Sequence, residues 1–438
     1  MATSADIAVN LTSSSVGIIS VIVFVTAYAF VMAEEVTHLR KSKPVILSAG
    51  IIWALIAFHF MGNKEMAHMV EASLRHGVLE YAELFLFLLV AMTYINSMDN
   101  RDVFNALRSW LTRKGFTYKQ LFVITGVIAF FLSPIADNLT TALVLCAVLL
   151  AVGKDNNKFI SIGCINIVVA ANAGGAFSPF GDITTLMVWQ KGLLNFFDFF
   201  AIFIPSVVNY VVPAFIMYFF VENGTPKSSG ETVVMRRGAK RIIFLFILTI
   251  VTAVCFHNFL TLPPMLGMMV GFGYLSIFAY YLKMTHGNSE TDSLEKFDVL
   301  RKVSKAEWDT LLFFFGVILS VGGLGFIGYL SMINNFMYVE LGATWANVLV
   351  GILSAIVDNI PVMFAVLTMN PPMEESQWLL VTLTAGVGGS MLSVGSAAGV
   401  ALMGQARGKY TFFGHLKWTP VIALGYAASI YAHILINF

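Results

Sequence analysis

Charged residues are scarce in this chain and cysteine is nearly absent. Asp, Glu, Lys and Arg make up 12% of its 438 residues, against 58% hydrophobic ones. That poverty of charge excludes an ordinary water-soluble domain and points to an all-α polytopic membrane protein. A formal net charge of +1 leaves no electrostatic footprint for nucleic acid. The three cysteines, Cys146, Cys164 and Cys255, lie in apolar runs without CxxC spacing, so they read as small buried packing residues rather than redox or metal ligands. No His or Cys cluster competes for a transition metal, and no cofactor is expected. A basic n-region is missing from the opening "MATSADIAVNLTSSS", so the first apolar run reads as a retained span and not a cleaved signal peptide.

What the chain has in quantity is apolar length. Crossing about 30 Å of hydrocarbon takes roughly 20 helical residues. Runs of that order lie near 16–33, 44–61, 78–98, 160–190, 196–221, 242–260, 264–282, 308–330, 378–404 and 418–436, which predicts about ten transmembrane helices. Two further apolar segments, 121–152 and 346–370, are interrupted midway by "SPIADN" and "SAIVDNIP". Arms of about 13 residues reach only roughly 20 Å at the helical rise, so both segments are expected to be re-entrant hairpins. The 12 Pro and 35 Gly lie largely inside apolar stretches, where only neighbouring helices or a wet cavity can satisfy the freed backbone. Two spans, 160–190 and 378–404, are therefore expected to be broken.

Basic residues test the layout. With the hairpins counted as non-crossing, 23 of the 26 Lys and Arg fall in one set of loops, and Lys64, Arg75 and Lys191 remain on the other side. The positive-inside rule then places both termini outside, the first hairpin open to the cytoplasm and the second to the exterior. Counting either hairpin as a full crossing would scramble that segregation. The segment 100–119 alternates basic and apolar residues at helical spacing and is expected to lie along the cytoplasmic surface.

The interruptions recur. "SPIADN" followed by "NAGGAFSPFGD" is echoed by "SAIVDN" followed by "GVGGSMLSVGS", so Ser133, Asp137 and Asn138 match Ser354, Asp358 and Asn359, and Gly174, Gly175 and Gly181 match Gly388, Gly389 and Gly395. The expected organisation is a first repeat over 1–221, a cytoplasmic linker over 222–241 and a second repeat over 242–438. Because the two halves begin with spans of opposite direction, the copies are inverted. Inverted repeats with interrupted helices are the architecture of secondary transporters, with substrate near the midplane.

Polar residues at the interruptions carry the chemistry. An ionised aspartate at the bilayer centre is costly unless paired, hydrated or metal-bound. A carboxylate that caps a half-helix explains one such residue, but not two copies. Carboxylate, amide and hydroxyl oxygens of Ser133, Asp137, Asn138, Thr140, Thr141, Ser354, Asp358, Asn359, Ser393 and Ser396 would form an all-oxygen site for a hard cation, with Asp137, Asn138, Asp358 and Asn359 as the metal-binding core. "AFSPFGDITT" adds Asp182, Thr184 and Thr185, whereas its counterpart puts Ser396 opposite Asp182, so the half-sites are unequal. Desolvation favours the protonated carboxyl, and a proton and a metal ion then compete for one group. Glu80 and Glu83, at i and i+3, share a helix face and either line a proton path or make interfacial contacts. Asp309 reads as a charge at a helix N-terminus, and the glycines of "VGGLGFIG" as sites of close helix packing. His59, His76, His257 and His433 stand singly in or near spans and read first as packing or interface residues.

The stretches "FLSPIADNLTTALVLCAVLLAVGKDNNKFISIGCINIVVAANAGGAFSPFGDITTLMVWQKG", "SAIVDNIPVMFAVLTM" and "GVGGSMLSVGSAAGVALMGQARGKYTFFGHLKWTP" resemble the NhaD-type sodium/proton antiporters of the ion transporter superfamily. The resemblance runs from about residue 34 to the end. It implies a homodimer in a bacterial inner membrane, a scaffold domain, and a transport domain of hairpins and broken helices that moves as an elevator. It also implies exchange of cytoplasmic sodium or lithium for protons, with sodium-binding roles for Ser133, Asn138, Thr140, Ser354 and Asn359. Pro361 stands where the first half has Thr140, a departure from that pattern.

Two other readings compete. The same superfamily includes sodium- or proton-coupled carriers of dicarboxylates, sulfate and arsenite, but an anion would face Asp137, Asp182 and Asp358. An intramembrane aspartyl protease could use Asp137 and Asp182 as a dyad, yet that leaves the repeat and the second Asp-Asn pair unexplained. No enzyme activity is expected.

Overall fold

The computed structural model describes residues 9–153, 156–226, 232–285 and 297–438. Lys154, Lys227 and Lys296, three of the basic residues expected in cytoplasmic loops, lie outside them, as does the opening stretch 1–8. Among the described residues every regular element is a helix. In chain order α1 (Ser15–Met32), α2 (Ser42–His59), α3 (Lys64–Asn100) and α4 (Val103–Arg113) lead to α5 (Tyr118–Ala136) and α6 (Asn138–Val152). Next come α7 (Asn157–Ala176), α8 (Ile183–Gln190), α9 (Phe203–Tyr218), α10 (Ala239–Leu260), α11 (Pro264–Met284) and α12 (Trp308–Phe326). The chain closes with α13 (Ala343–Ile356), α14 (Asn359–Met369), α15 (Glu375–Gly388), α16 (Ala397–Gln405) and α17 (Thr419–Asn437).

Ten helices among the described residues are long and apolar enough to cross a membrane, and the chain is a multi-pass membrane protein. Nine of them fall on expected crossings, but the tenth does not. The run 378–404 is split into α15 and α16, of 14 and 9 residues, around a 3-10 turn at Gly389–Met391. In its place stands α5, whose 19 residues exceed the arm of about 13 read from the sequence. The difference has a local cause. Thr117 and Gln120 form a reciprocal capping box that starts α5 at Tyr118, three residues before the apolar run begins.

The chain divides into two compact units. The first comprises Met1–Phe85, Glu307–Leu349 and Ile360–Glu374. In its core α2 and α12 pack closely. A Cβ at Gly316 would stand 2.6 Å from the Val45 backbone, and one at Gly323 would stand 2.7 Å from Ile52, the latter as the small-residue reading of "VGGLGFIG" expects. The indole of Trp53 donates to the Leu319 carbonyl at 2.8 Å. Asp309 lies in the first turn of α12 and accepts from the Ser42 hydroxyl, the helix N-terminal charge expected of it.

The second unit comprises Leu86–Ala306, Val350–Asn359 and Glu375–Phe438. It is built around α7 and α15, whose apolar residues fall on all sides with few polar ones between them, as full burial requires. From Ile162 to Ala176 and from Trp378 to Gly388 every residue is buried. Cys146 and Cys164 are buried here with their Sγ atoms 3.8 Å apart, in the packing role expected of them.

The two motifs also make matching contacts in this unit. Ser133 donates to the Ala171 carbonyl at 2.7 Å, and Ser354 donates to that of Ala385 at 2.8 Å. A Cβ at Gly174 would lie 2.1 Å from the Phe130 carbonyl, and one at Gly388 would lie 2.2 Å from that of Gly351. Only glycine permits either approach. Gly175 meets Gly181 as Gly389 meets Gly395. Each interrupted segment thus docks its Ser-bearing helix end onto the end of a fully buried helix.

Candidate functional site

The chain breaks helical conformation at four places that carry the expected site residues: between α5 and α6, between α7 and α8, at 357–358 between α13 and α14, and between α15 and α16. At each break backbone groups lose their intrahelical partners, and polar side chains gather.

At the first, Asp137 adopts φ 58° and ψ 162°, a conformation that strains any residue but glycine by roughly 1–3 kcal/mol. Its carboxylate caps α6. Oδ1 accepts from the Thr140 backbone N–H at 2.7 Å, and Oδ2 accepts from the Thr140 hydroxyl at 2.9 Å. Asn138 follows, and its backbone N–H donates to the Gly181 carbonyl at 3.2 Å. The break between α7 and α8 returns the contact, since the Ser178 hydroxyl donates to the Pro134 carbonyl at 2.9 Å. Tip and break are therefore one structure.

Asp182 caps α8 and is the most heavily engaged side chain of the set. Oδ1 accepts from the Thr184 backbone N–H at 2.9 Å and from the Thr184 hydroxyl at 2.8 Å. Asn138 Nδ2 donates to Oδ2 at 2.9 Å. Asn359 Nδ2 reaches both oxygens, at 3.3 and 3.2 Å. Asp182 is 4% exposed and Asn359 3%, so these are buried hydrogen bonds to a carboxylate, each worth about 1.5–3 kcal/mol. The two Asp-Asn motifs thus converge, through their asparagines, on a single carboxylate.

Asn172 extends the network. Its Oδ1 accepts from Asn138 Nδ2 at 3.2 Å, while its Nδ2 donates to Ser396 Oγ at 3.1 Å. Ser396 also caps α16 by accepting from the Gly399 N–H at 3.3 Å. Asn172 was not singled out from the sequence, although it opens the "NAGGAFSPFGD" motif; an amide at the end of the apolar stretch that leads into that motif was the available signal. Two hydroxyls of the expected set, Thr141 Oγ1 and Ser393 Oγ, are buried without a hydrogen-bond partner among the described residues. Orphaned buried hydroxyls are costly, and both are suited to an oxygen-seeking ligand.

The remaining residues of the expected set sit as follows. Asp358 is half-buried beside the break at 357–358. Thr185 donates to the freed Ala176 carbonyl at 3.4 Å. Glu80 and Glu83 lie on α3 in the first unit, where Glu80 meets His76 Nε2 at 3.3 Å. The other expected site residues all belong to the second unit.

Another residue missed in the sequence is His415. It lies between α16 and α17, is fully buried, and places Nε2 2.9 Å from the Ser390 carbonyl and Nδ1 2.7 Å from the Tyr410 hydroxyl. A carbonyl only accepts, so Nε2 carries the proton and Nδ1 receives the tyrosine's. His415 thereby satisfies a carbonyl freed at Gly389–Met391, and the Thr419 hydroxyl does the same for Met391 at 2.7 Å.

Apolar helices in number, interrupted around a buried set of carboxylate, amide and hydroxyl groups, define a multi-pass membrane protein of the transporter class. A family model described as citrate transporter matches residues 7–386. A Na(+)/H(+) antiporter NhaD of Alkalimonas amylolytica is 56% identical over 446 residues, covering 98% of this chain and 92% of that protein. One of Vibrio parahaemolyticus is 59% identical over 407 residues, 89% and 98% of the two chains. Sodium/proton antiporter 1 of Arabidopsis thaliana is 32% identical over 431 residues, 95% and 72%. The chain belongs to the citrate transporter family as that model defines it and to the NhaD family of sodium/proton antiporters.

Proposed function

We propose that this protein is a sodium or lithium/proton antiporter that exports cytoplasmic sodium in exchange for protons, with Asp182 as the carboxylate that holds cation and proton in turn. The observation that carries the reading is the convergence of Asn138 and Asn359 on Asp182. An amide presents N–H₂ to an ionised carboxylate and, turned by 180°, presents an oxygen to a cation. The same two side chains therefore serve both loads. A sodium ion entering here meets Asp182, the turned amides of Asn138 and Asn359, and hydroxyls of Thr184 and Ser396, the hard-oxygen set that such a cation prefers. A proton on Asp182 removes the charge that attracts the cation, so the two compete. Asp137 and Asp358, at the tips, supply further negative charge and bind cation and proton by the same competition.

The wider architecture belongs to the same proposal. The paired contacts of Ser133 and Ser354, and of Gly174 and Gly388, support an internal duplication over 1–221 and 242–438 joined by the linker 222–241. Segments 121–152 and 346–370 would be re-entrant hairpins and 160–190 and 378–404 broken spans, carried by a transport domain that slides as an elevator in a homodimer. Both termini would face the outside of a bacterial inner membrane. Glu80 and Glu83 would line a proton path.

The family description also keeps a coupled anion carrier in play. Cation-induced collapse of an imposed pH gradient in proteoliposomes decides between them, with sodium, lithium, potassium, citrate, succinate and arsenite compared. Collapse by sodium and lithium alone supports antiport. A sodium response that requires one of the anions would replace it with anion symport.

A further inference from the structure

The basic stretch at the start of α10 takes no part in the site above. Met235, Arg236, Arg237, Lys240, Arg241 and Tyr281 line an open cavity of about 320 Å³. Four of those six side chains are cationic. Among the described residues Asp102 answers them, in an ion pair with Arg236. Arg237 is spent structurally, because its two terminal nitrogens donate to the Thr285 carbonyl and hydroxyl at 2.8 and 2.9 Å and tie the entry of α10 to the exit of α11. Lys240 and Arg241 remain exposed in the first turn of α10, with the Arg241 guanidinium 5.9 Å from the Tyr281 ring.

The surface next to this cavity is apolar. Along α10, Phe244, Ile247 and Val251 are 63%, 48% and 50% exposed, and along α11 Ile277 and Tyr280 are 72% and 64% exposed. In a membrane protein such faces meet acyl chains, and tyrosines at a helix end mark the headgroup level. A cationic cavity at the ends of two helices with exposed apolar faces matches one ligand chemistry, an anionic phosphate headgroup carried on two hydrocarbon chains. We infer that this cavity binds the headgroup of an anionic phospholipid, with its acyl chains laid along Phe244, Ile247 and Ile277. The linker's placement by the positive-inside rule puts that lipid in the cytoplasmic leaflet. The inference needs the membrane setting but not the antiport reading.

The test is native mass spectrometry of the purified full chain in neutral detergent, with phosphatidylglycerol, phosphatidylcholine and inorganic phosphate as probes. Wild type is expected to retain phosphatidylglycerol over phosphatidylcholine and not to lose it to inorganic phosphate. Lys240→Gln with Arg241→Gln should weaken retention roughly 30-fold, at about a kilocalorie per cation. Lys64→Gln with Arg75→Gln, an equal charge loss elsewhere, should leave it unchanged. Single Lys240→Gln, which keeps the Arg241–Tyr281 contact, gives a smaller loss in the same direction should the double variant not fold. Equal retention of both lipids, full retention by the variants, equal loss in the Lys64/Arg75 pair, or displacement by inorganic phosphate would each overturn the inference.

Discussion

Asn359 donates its amide to both carboxylate oxygens of Asp182 across 177 residues of chain. Asn138 donates to the same carboxylate from the other Asp-Asn motif, so the two tips share one hydrogen-bond acceptor. Removing either donor leaves a buried anion one hydrogen bond short, at about 1.5–3 kcal/mol. Asn138→Ala and Asn359→Ala should each lower apparent sodium affinity roughly 10- to 100-fold, measured as the half-maximal sodium concentration for pH-gradient collapse. A loss confined to one of the two would mean that the tips act separately.

Asn172 joins Asn138 to Ser396, and its effect should not add to theirs. In a double-mutant cycle, Asn172→Ala and Ser396→Ala are expected to couple by roughly 0.5–3 kcal/mol in sodium affinity. Additive losses would show that the 3.1 Å contact between them carries no function.

Asp137 offers a way to part capping from ion binding. Its backbone has the φ of +58° and extended ψ that glycine adopts freely, so Asp137→Gly relieves strain while giving up a cap worth a few tenths of a kcal/mol relative to glycine. Thermal stability in detergent should hold or rise. Antiport should fall if the carboxylate binds ions, in Asp137→Asn as well, which keeps an acceptor for Thr140. Retained antiport in both variants would reduce Asp137 to a helix cap.

His415 titrates outside the long helices. Burial pushes its imidazole down to about 4 from an ordinary value near 6.5, against the opposing contacts with the Ser390 and Met391 carbonyls. Between those values the unfolded chain binds the extra proton, so the native state's advantage is complete above pH 6.5 and is lost as pH falls towards 4. The loss amounts to at most about 3 kcal/mol. Thermal unfolding across that range should show it, and His415→Gln should flatten the dependence there. An unchanged slope in His415→Gln would assign the acid sensitivity elsewhere.

How far the sequence could be read follows from which residues carry local signals. The Asp-Asn pairs, the Gly-rich breaks and the long apolar runs are contiguous patterns, and the breaks at Asp137 and around Gly389 fall where those patterns place them. The first arm came out short because hydropathy ends at 121, while the Thr117–Gln120 capping box, three residues apart and visible in the sequence, sets the start. Partnership across the chain was not readable. That Asp182 rather than Asp137 gathers both asparagines depends on how α7, α15 and the tips pack. Asn172 and His415 look unremarkable until a freed carbonyl or a facing amide gives them a partner.

Exchange of a cation for a proton at Asp182 is measured directly by proton release. Sodium added to the purified protein in weak buffer, over a pH series, should release protons from wild type and markedly fewer from Asp182→Asn. Equal release by the Asp182→Asn variant, or sodium binding to wild type with no proton released at any pH, would contradict it.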